Sequence, residues 1–313
     1  MDPLLRRVGE IGLVPVIKLD SAARAVGLGR ALLRGGIPVA EVTFRTAAAA
    51  DAIRAMSAEL PDLLVGAGTV LTLDQAALAI RAGARFIVSP CYVDEVVAYC
   101  QERGVPVLPG VVNPDGVAKG LAAGLEVLKF FPAGASGGTA MLDALSGPFG
   151  AVKFIPTGGI DTGNLASYAR RASVLAIGGS WMVRPELVEA ENWAEVERLC
   201  RAAVAALHGF AFAHLGIGCA DDPGRRALAG MLERLFNFPG EERDGSLFAG
   251  DRIELTCGRA DGKGQIAIRC NQMERALAYL AGAGIQALPG TATPRSVQLD
   301  LELGGFAFHL VRG

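Results

Sequence analysis

The sequence predicts an α/β protein: a (β/α)8 TIM barrel over about residues 1–207, then an α+β domain of paired βαβββ modules over 208–313. Two observations predict this architecture. Short β-branched runs alternate with Ala/Leu-rich helical stretches through the first two-thirds of the 313 residues, which is typical of βαβ units around a parallel sheet. The last third breaks this alternation and repeats itself internally.

Eight strand candidates start roughly 20 to 26 residues apart, and eight units in about 200 residues fit a compact (β/α)8 barrel. They are Val14–Ile17, Val39–Phe44, Leu64–Ala67, Phe86–Ser89, Val105–Leu108, Glu126–Phe131, Val152–Pro156 and Val174–Ile177. A doubly wound open sheet is the alternative architecture. The first strand is not followed by GxGxxG, which weakens that alternative.

The composition excludes several classes of partner. The chain is 51% hydrophobic, has a net charge of −2 and contains no basic block, so we expect no nucleic-acid partner. The N-terminus lacks the pattern of a signal peptide, and no apolar run approaches the ~20 residues of a membrane span, so we expect no membrane partner. Six scattered cysteines without a CxxC pair favour reduced thiols and a cytoplasmic location.

A charged cluster is predicted at the mouth of the barrel. The run "GLEVLKFFPA" places Lys129 in an otherwise apolar strand, and "VAEVTFRT" places Glu41 and Arg45 on one face of another. A lone buried ammonium group costs several kcal/mol, whereas a neutral lysine amine is a nucleophile. Because active sites of such barrels lie at the C-terminal ends of the strands, these side chains indicate chemistry. The alternative is a structural Lys129–Glu41 ion pair.

Two glycine pairs follow the last two predicted strands, in "FIPTGGI" and "LAIGGSWM". Glycines let backbone N–H groups approach an anion, and the loops after strands seven and eight are the usual phosphate site of this fold. The sequence therefore predicts a phosphate-binding site in these two loops, although single Gly-Gly pairs are often simple turns.

The collinear motifs "EVTFRT", "VGAGTVL", "PGVVNP", "LKFFPA" and "VKFIPTGGI" over about residues 5–205 resemble the 2-keto-3-deoxy-6-phosphogluconate / 4-hydroxy-2-oxoglutarate aldolase family. The resemblance implies a class I aldolase, typically trimeric, that acts on a small-molecule keto acid and needs no cofactor for the aldol step. The implied products are pyruvate and glyceraldehyde 3-phosphate, or pyruvate and glyoxylate from the shorter substrate.

The resemblance also assigns roles to residues. Lys129 matches the Schiff-base lysine and Glu41 the general acid/base. The implied substrate-binding residues are Arg45 and Thr69 for the carboxylate, Pro90 and Phe131 around the pyruvyl part, and Gly158, Gly159, Gly179 and Ser180 for the phosphate end. Lys18 and Lys153 could add charge for an anion or be solvated, and Asn113 lies in a specificity loop or a plain turn.

The tail contains a repeat, since "HLGIGC" starts at His214 and "QIAIRC" starts at Gln265, 51 residues later. Each leads into an amphipathic helix and then strands, and Glu254 and His309 occupy equivalent places. The pattern resembles the vicinal oxygen chelate superfamily, which includes glyoxalases. That resemblance implies a divalent metal (Zn, Ni, Co, Mn or Fe) on His214, Glu254, Gln265 and His309. The alternative is a hydrogen-bonded remnant without metal.

Three functions remain open at this stage. The first is the aldolase, which the combination of buried lysine, acid and arginine favours. The second is a barrel that senses a metabolite without turnover. The third is a bifunctional protein whose tail adds a metal-dependent activity.

Overall fold

The structure is a computed structural model that describes residues 1–243, 245–257 and 264–313. The chain forms two compact units, Met1–Leu207 and His208–Gly313. Each unit has its own sheet system and its own apolar core.

The first unit is built on short parallel strands that are buried on both faces, as expected where helices cover the outside of a barrel. The strands are β1 Leu13–Ile17, β2 Val39–Thr43, β3 Leu64–Gly68, β4 Ile87–Val88, β5 Val107–Leu108, β6 Gly110–Val111, β7 Val127–Phe130, β8 Lys153–Pro156 and β9 Ile177–Gly179.

These strands close into one parallel barrel. One sheet has the order β5-β4-β3-β2-β1-β9, and the other has the order β6-β7-β8. The bridges Phe154–Val174 and Thr157–Gly178 join β8 to β9. At the other junction between the two sheets, β5 and β6 form a single barrel strand that is interrupted at Pro109, because proline has no N–H group to donate to a neighbouring strand. The Pro109 carbonyl still accepts a hydrogen bond from Lys129 N at 3.0 Å. The predicted (β/α)8 barrel is therefore confirmed.

One helix precedes the first strand and the others alternate with the later strands, and their apolar sides cover the barrel. They are α1 Pro3–Ile11, α2 Ala25–Arg34, α3 Ala49–Glu59, α4 Leu73–Ala82, α5 Asp94–Glu102, α6 Pro114–Ala122, α7 Gly138–Ser146, α8 Leu165–Ala169, α9 Pro185–Glu189 and α10 Trp193–His208. Local sequence sets their ends. For example, Thr72 caps the N-terminus of α4, and Gly83 ends it at φ 106°.

The eighth strand lies later in the chain than the predicted Val174–Ile177. In the predicted range before β9, Val174 makes one isolated bridge, to Phe154. The strand β9 extends to Gly179 because Gly178 and Gly179 pair with Val14 and Pro15 of β1. Pairing with β1 overrides the low strand propensity of two successive glycines.

In its described residues, the second unit contains one mixed sheet and two helices. Its elements are β10 Ala211–Cys219, α11 Asp222–Phe236, β11 Gly240–Arg243, β12 Ser246–Ala249, β13 Ile253–Cys257, β14 Gly264–Cys270, α12 Met273–Gly282, β15 Ser296–Leu303 and β16 Phe306–Arg312. The strand order is β11-β12-β13-β10-β14-β16-β15.

The register of this sheet has an internal twofold relation. The central strands β10 and β14 are antiparallel, and Leu215 pairs with Ile266, its equivalent 51 residues later. Gly216 pairs with Glu254 on the parallel strand β13, and Ala267 pairs with His309 on the parallel strand β16. Glu254 and His309 therefore occupy equivalent positions in the two halves.

The second half departs from the predicted βαβββ pattern. It contains β14, α12, β15 and β16, and where the first half has β11 it has only a single antiparallel bridge between Ala287 and Leu299. The chain here reads "QALPGTATPRS", and its two prolines remove the N–H groups that a regular ladder needs. None of the helices in the described ranges combines the length and the apolarity that a bilayer span requires.

Candidate functional site

The centre of the barrel holds a buried ion pair. Lys129 extends from β7 and Glu41 from β2, with Lys129 Nζ 3.1 Å from Glu41 Oε1. The two side chains are 6% and 3% exposed. Two charges buried together are costly to desolvate, and removal of one partner leaves the other uncompensated. The carboxylate is close enough to exchange a proton with the amine.

Two glycines inside strands allow close packing at this site, because Gly68 faces Glu41 and Gly110 faces the backbone of Pro90. A Cβ on Gly68 would stand 2.2 Å from Glu41 Oε1. Gly110 pairs with Lys129 in the sheet, and a Cβ on it would stand 2.2 Å from the Pro90 carbonyl oxygen. Pro90, predicted to border the pyruvyl part of a substrate, therefore lies against the strand next to Lys129. Sequence reasoning missed both glycines, although glycine within a strand signals close approach of a neighbour.

Phe131 connects the lysine to the first glycine pair. Its ring centroid lies 5.2 Å from Lys129 Nζ, and a Cβ on Gly158 would stand 3.3 Å from Phe131 Cε2. Gly158 and Gly159 adopt φ of +93° and +74°, which favours glycine at both positions. The ammonium group, the aromatic ring and the glycine loop therefore lie next to one another.

The second glycine pair is next to the first. Thr157, immediately before Gly158, bridges to Gly178 across the barrel closure. Gly179 lies inside β9 and is buried, so it is not the loop residue that the sequence pattern indicated. Ser180 follows directly and is exposed, so its hydroxyl and backbone N–H stand at the C-terminal end of the strand.

Arg45 and Thr69 follow neighbouring strands. The Phe44 N–H donates to the Gly68 carbonyl at 2.8 Å, which aligns the ends of β2 and β3. Thr69 has φ 56°, an outlier for a β-branched residue and typical of strain near functional sites. Arg45 lies two residues beyond the end of β2 and is exposed. Strand alternation counted from Glu41 therefore does not extend to Arg45.

Three residues left open by the sequence have local partners. The Lys153 ammonium group, at the N-terminal end of β8, donates to the Ala172 carbonyl at 2.8 Å. Lys18 is exposed and pairs with Asp20 at 3.1 Å. Asn113 caps α6, because its Oδ1 accepts from Gly116 N at 3.0 Å.

The tail sheet carries a second cluster. One ligand atom each of His214, Glu254 and His309 lies within 4.8 Å of the other two. His214 Nε2 is 3.0 Å from Glu254 Oε2, and the centroids of the His214 and His309 imidazole rings are 5.5 Å apart. Gln265 pairs with Gly216 in the sheet and lines the same cavity as these three residues.

The donor atoms of this cluster fit a divalent metal. Among the described residues, His309 Nδ1 is buried without a hydrogen-bond partner, and His214 Nε2 lies 3.0 Å from Glu254 Oε2. Burial, with His214 beside it, lowers the pKa of His309 to about 4, so its imidazole is neutral, as a metal ligand must be. The His214 imidazole, helped by Ser246, lowers the pKa of Glu254 against the effect of burial.

Known proteins similar to this chain match its barrel unit. Residues 5–199 match the family model described as "KDPG and KHG aldolase". The chain is 47% identical over 199 residues to a 2-dehydro-3-deoxy-phosphogluconate aldolase of Treponema pallidum (strain Nichols), covering 64% of this chain and 95% of that protein. It is 43% identical over 192 residues to the KHG/KDPG aldolase of Escherichia coli (strain K12), covering 61% and 90%.

A solved structure is similar to the same part of the chain. The crystal structure of the KDPG aldolase from Legionella pneumophila, with pyruvate captured at low pH as a covalent carbinolamine intermediate, aligns with a TM-score of 0.62 and 40% identity. The alignment covers 64% of this chain and 97% of that one.

Proposed function

This chain belongs to the KDPG and KHG aldolase family, and we propose that its barrel is a class I aldolase acting through Lys129. The substrates are 2-keto-3-deoxy-6-phosphogluconate, cleaved to pyruvate and glyceraldehyde 3-phosphate, and 4-hydroxy-2-oxoglutarate, cleaved to pyruvate and glyoxylate. The observation that carries this proposal is the Lys129–Glu41 pair, 3.1 Å apart inside the barrel.

The mechanism uses both members of the pair. Glu41 takes a proton from the ammonium group of Lys129, and the neutral amine attacks the C2 ketone. Glu41 then protonates the carbinolamine oxygen, which leaves as water and gives an iminium. As the C3–C4 bond breaks, its electrons enter the iminium, and Glu41, through a water, accepts the proton of the C4 hydroxyl. The enamine is then protonated at C3, and hydrolysis releases pyruvate and regenerates the amine.

The surrounding residues hold the two ends of the substrate. Arg45 and Thr69, at the aligned ends of β2 and β3, bind the carboxylate, since a guanidinium can bind it through two hydrogen bonds. Phe131 and Pro90 pack against the pyruvyl carbons next to Lys129. The phosphate end is bound by the backbone N–H groups at Gly158 and Gly159 and by the hydroxyl and N–H of Ser180. Gly179, which pairs with β1 inside the strand, positions Ser180 at the strand's end.

Borohydride trapping tests the role of Lys129. Incubation with pyruvate and borohydride should leave a reduced adduct on the peptide that contains Lys129, located by mass spectrometry. Lys153→Ala is the matched control, because Lys153 lies on the neighbouring strand, is half-buried and donates to a carbonyl. An adduct that persists in Lys129→Ala and disappears in Lys153→Ala would overturn the assignment.

Steady-state kinetics separate an aldolase from a barrel that senses a metabolite without turnover. Values of kcat/KM for the phosphorylated and the shorter substrate rank the two as substrates. A protein that forms the pyruvate adduct and cleaves neither compound would be a sensor.

For the tail we propose a vicinal oxygen chelate domain that holds one divalent metal on His214, Glu254, Gln265 and His309. Two imidazoles, a carboxylate and an amide oxygen suit Zn²⁺, Ni²⁺, Co²⁺, Mn²⁺ or Fe²⁺. Ligands about 2.0–2.5 Å from one ion lie no more than about 5 Å from one another, which agrees with the spacing within the cluster. A bound metal would supply Lewis acidity and would make the protein bifunctional.

Elemental analysis of protein prepared without EDTA and supplied with each candidate ion tests the metal. We expect about one ion per chain in the wild type, lost in His214→Ala/His309→Ala. An unloaded wild type, or a double variant that retains the ion, would leave the cluster as a hydrogen-bonded remnant.

Assembly and location complete the proposal. The family resemblance supports a homotrimer, which analytical ultracentrifugation would measure directly as three times the mass of one chain. All six cysteines are free thiols, which supports a cytoplasmic location because disulfides are rare there.

A further inference from the structure

Two of the free cysteines in the second unit lie side by side. Cys219 ends β10 and Cys257 ends β13, and the two residues are partners in the register of these parallel strands. The pairing runs without a shift from Leu215 opposite Ile253 to this last pair. Because side chains of paired residues on neighbouring strands point to the same face of the sheet, the two thiol groups lie next to each other.

The strand pairing sets a spacing that a disulfide can span. Neighbouring strands lie about 4.8 Å apart, and the Cα atoms of disulfide-bonded cysteines are usually about 4.4–6.8 Å apart. The Cβ atoms of a disulfide are closer, at about 3.5–4.5 Å, so a bond here requires the strand ends to approach slightly. The strand β10 ends at Cys219, so the ladder holds this residue from one side only. A disulfide formed under strain is more easily reduced again.

The surroundings give the two thiols different roles. Cys219 is 8% exposed and packs in an apolar cluster with Ala229 of α11 and Leu255 of β13, whereas Cys257 is exposed. Burial raises the pKa of Cys219, and the neighbouring Cys257 raises it further. Cys257 is therefore the thiol that a reagent from solvent reaches first, and Cys219 is the resolving thiol behind it.

The proximity of the two thiols, rather than an activating cation, characterises this site. The guanidinium group of Arg225 lowers the pKa of Cys219, but it is already paired with Asp222 at 2.6 Å and with Glu242 at 3.3 Å. The hydrogen bond from Cys219 Sγ to the Ile217 carbonyl is 4.0 Å long. A thiol is a weak donor, so this contact does not prevent the sulfur from forming a bond.

The second half of the tail provides an internal comparison. Cys270 lies 51 residues after Cys219, at the equivalent place in β14, and it is buried. Its register partner on β16 is Arg312, so the position equivalent to Cys257 carries a guanidinium group instead of a thiol. The pairing of two thiols is therefore not a requirement of the repeated fold, and Cys270 is a matched control within the same chain.

We infer that Cys219 and Cys257 form a redox site that a hydroperoxide oxidises to a disulfide and that thiols reduce again. The Cys257 thiolate attacks the peroxide, the O–O bond breaks, and a sulfenic acid forms while an alcohol leaves, or water where the oxidant is hydrogen peroxide. The Cys219 thiol then attacks the sulfenic sulfur, the S–S bond forms and water leaves. The two thiols together lose two electrons and two protons, which the peroxide takes up.

This site goes beyond the functions proposed above, because its chemistry requires neither the aldol reaction nor a bound metal. It also agrees with a cytoplasmic location, since disulfides of cytoplasmic proteins are usually transient and serve catalysis or redox sensing.

Mass spectrometry of the full-length protein treated with hydrogen peroxide tests the site. After catalase has removed the peroxide, the protein is unfolded, its free thiols are alkylated and it is digested without reduction. We expect a linked pair of peptides containing Cys219 and Cys257, two hydrogens lighter than the separate peptides together. Reduced glutathione, added before unfolding, should restore both thiols. Cys270 should be alkylated with and without peroxide.

Three variants distinguish a thiol pair from separate oxidation of each cysteine. In Cys219→Ala the sulfenic acid on Cys257 lacks its resolving thiol, so dimedone should trap it, and oxidation onward to sulfinic acid should be at least about tenfold faster than in the wild type. Cys257→Ser, at an exposed position, should abolish the linked pair and leave Cys219 reduced. Cys270→Ala, the matched control, should leave the yield of the linked pair unchanged.

Three results would overturn the inference. The first is that Cys219 and Cys257 both remain open to alkylation after peroxide treatment. The second is that Cys257 reaches sulfinic acid as fast in the wild type as in Cys219→Ala. The third is that the linked pair persists in the presence of reduced glutathione. These measurements read the thiols directly, so they are independent of whether the barrel cleaves its substrates or the tail holds a metal.

Discussion

Gly68→Ala is a sharp test of Glu41, because the change reaches the carboxylate without altering either charged residue. The added Cβ would stand 2.2 Å from Oε1, 2.6 Å from Cγ and 2.8 Å from Cδ of Glu41. Ordinary contacts between such atoms need about 3.5 Å, so the carboxylate must move by roughly 1 Å. A misplacement of that size costs about 10²-fold in rate.

We therefore expect kcat for aldol cleavage to fall about 10²-fold in Gly68→Ala, while borohydride still traps pyruvate on Lys129. The three atoms nearest to the new methyl group all belong to Glu41, so the displacement falls first on the carboxylate and the lysine remains available for the adduct. Overpacking should also lower the free energy of unfolding by about 1–3 kcal/mol, which a thermal melt would record.

Gly150→Ala is the matched control. A Cβ there would meet only the Ser146 carbonyl oxygen, at 3.7 Å, which is ordinary van der Waals contact. Acid–base catalysis typically contributes about 10²–10⁴-fold to the rate. If folded Gly68→Ala keeps a kcat within about threefold of that control, then the position of Glu41 does not matter for turnover. In that case the Lys129–Glu41 pair would be structural.

Three further predictions follow from the same structure. Glu41→Gln should keep some trapping of pyruvate but lose about 10²–10⁴ in kcat, and a near-normal kcat would contradict its role as acid and base. Ser180→Ala should raise KM for the phosphorylated substrate more than for 4-hydroxy-2-oxoglutarate, and equal changes would remove the hydroxyl from the phosphate end. Burial, with a smaller contribution from Arg275, lowers the pKa of His208 to about 4. Between about pH 6.5 and 4 the unfolded chain therefore binds one proton more at this residue than the folded chain does. The free energy of unfolding falls as pH falls through this window, by up to about 3 kcal/mol. Urea unfolding of wild type and His208→Gln should show a smaller pH slope in the variant, since one of the two histidines with a lowered pKa is then absent. Identical slopes would contradict the assignment.

Period-two alternation was sufficient to predict the Lys129–Glu41 pair. Both residues lie in central strands whose neighbours along the chain point toward helices, so each must point into the barrel. The same rule failed at Arg45, because the strand ends at Thr43 and the alternation ends with it. Strand ends depend on which neighbour supplies a hydrogen-bond partner, and this information is absent from the local sequence.

The same limit explains the glycines. Gly68 appears in the sequence only as part of "VGAGTVL", where it could be a turn residue or a strand residue. Its importance comes from Glu41, 27 positions earlier in the numbering and brought beside it by the pairing of β2 with β3. Contacts of this kind arise from tertiary packing, so the sequence indicates the need for a small residue without indicating which side chain requires the space.

The repeat in the tail predicts which positions are equivalent in the two halves, but it does not predict which side chains those positions carry. The twofold register makes His214 equivalent to Gln265 and Glu254 equivalent to His309, so the two halves present different side chains at matching positions. With one carboxylate among four ligands, a bound divalent ion would retain a net charge of about +1. The equivalent positions therefore indicate where ligands would lie, whereas the ion that they would hold depends on side chains that differ between the two halves.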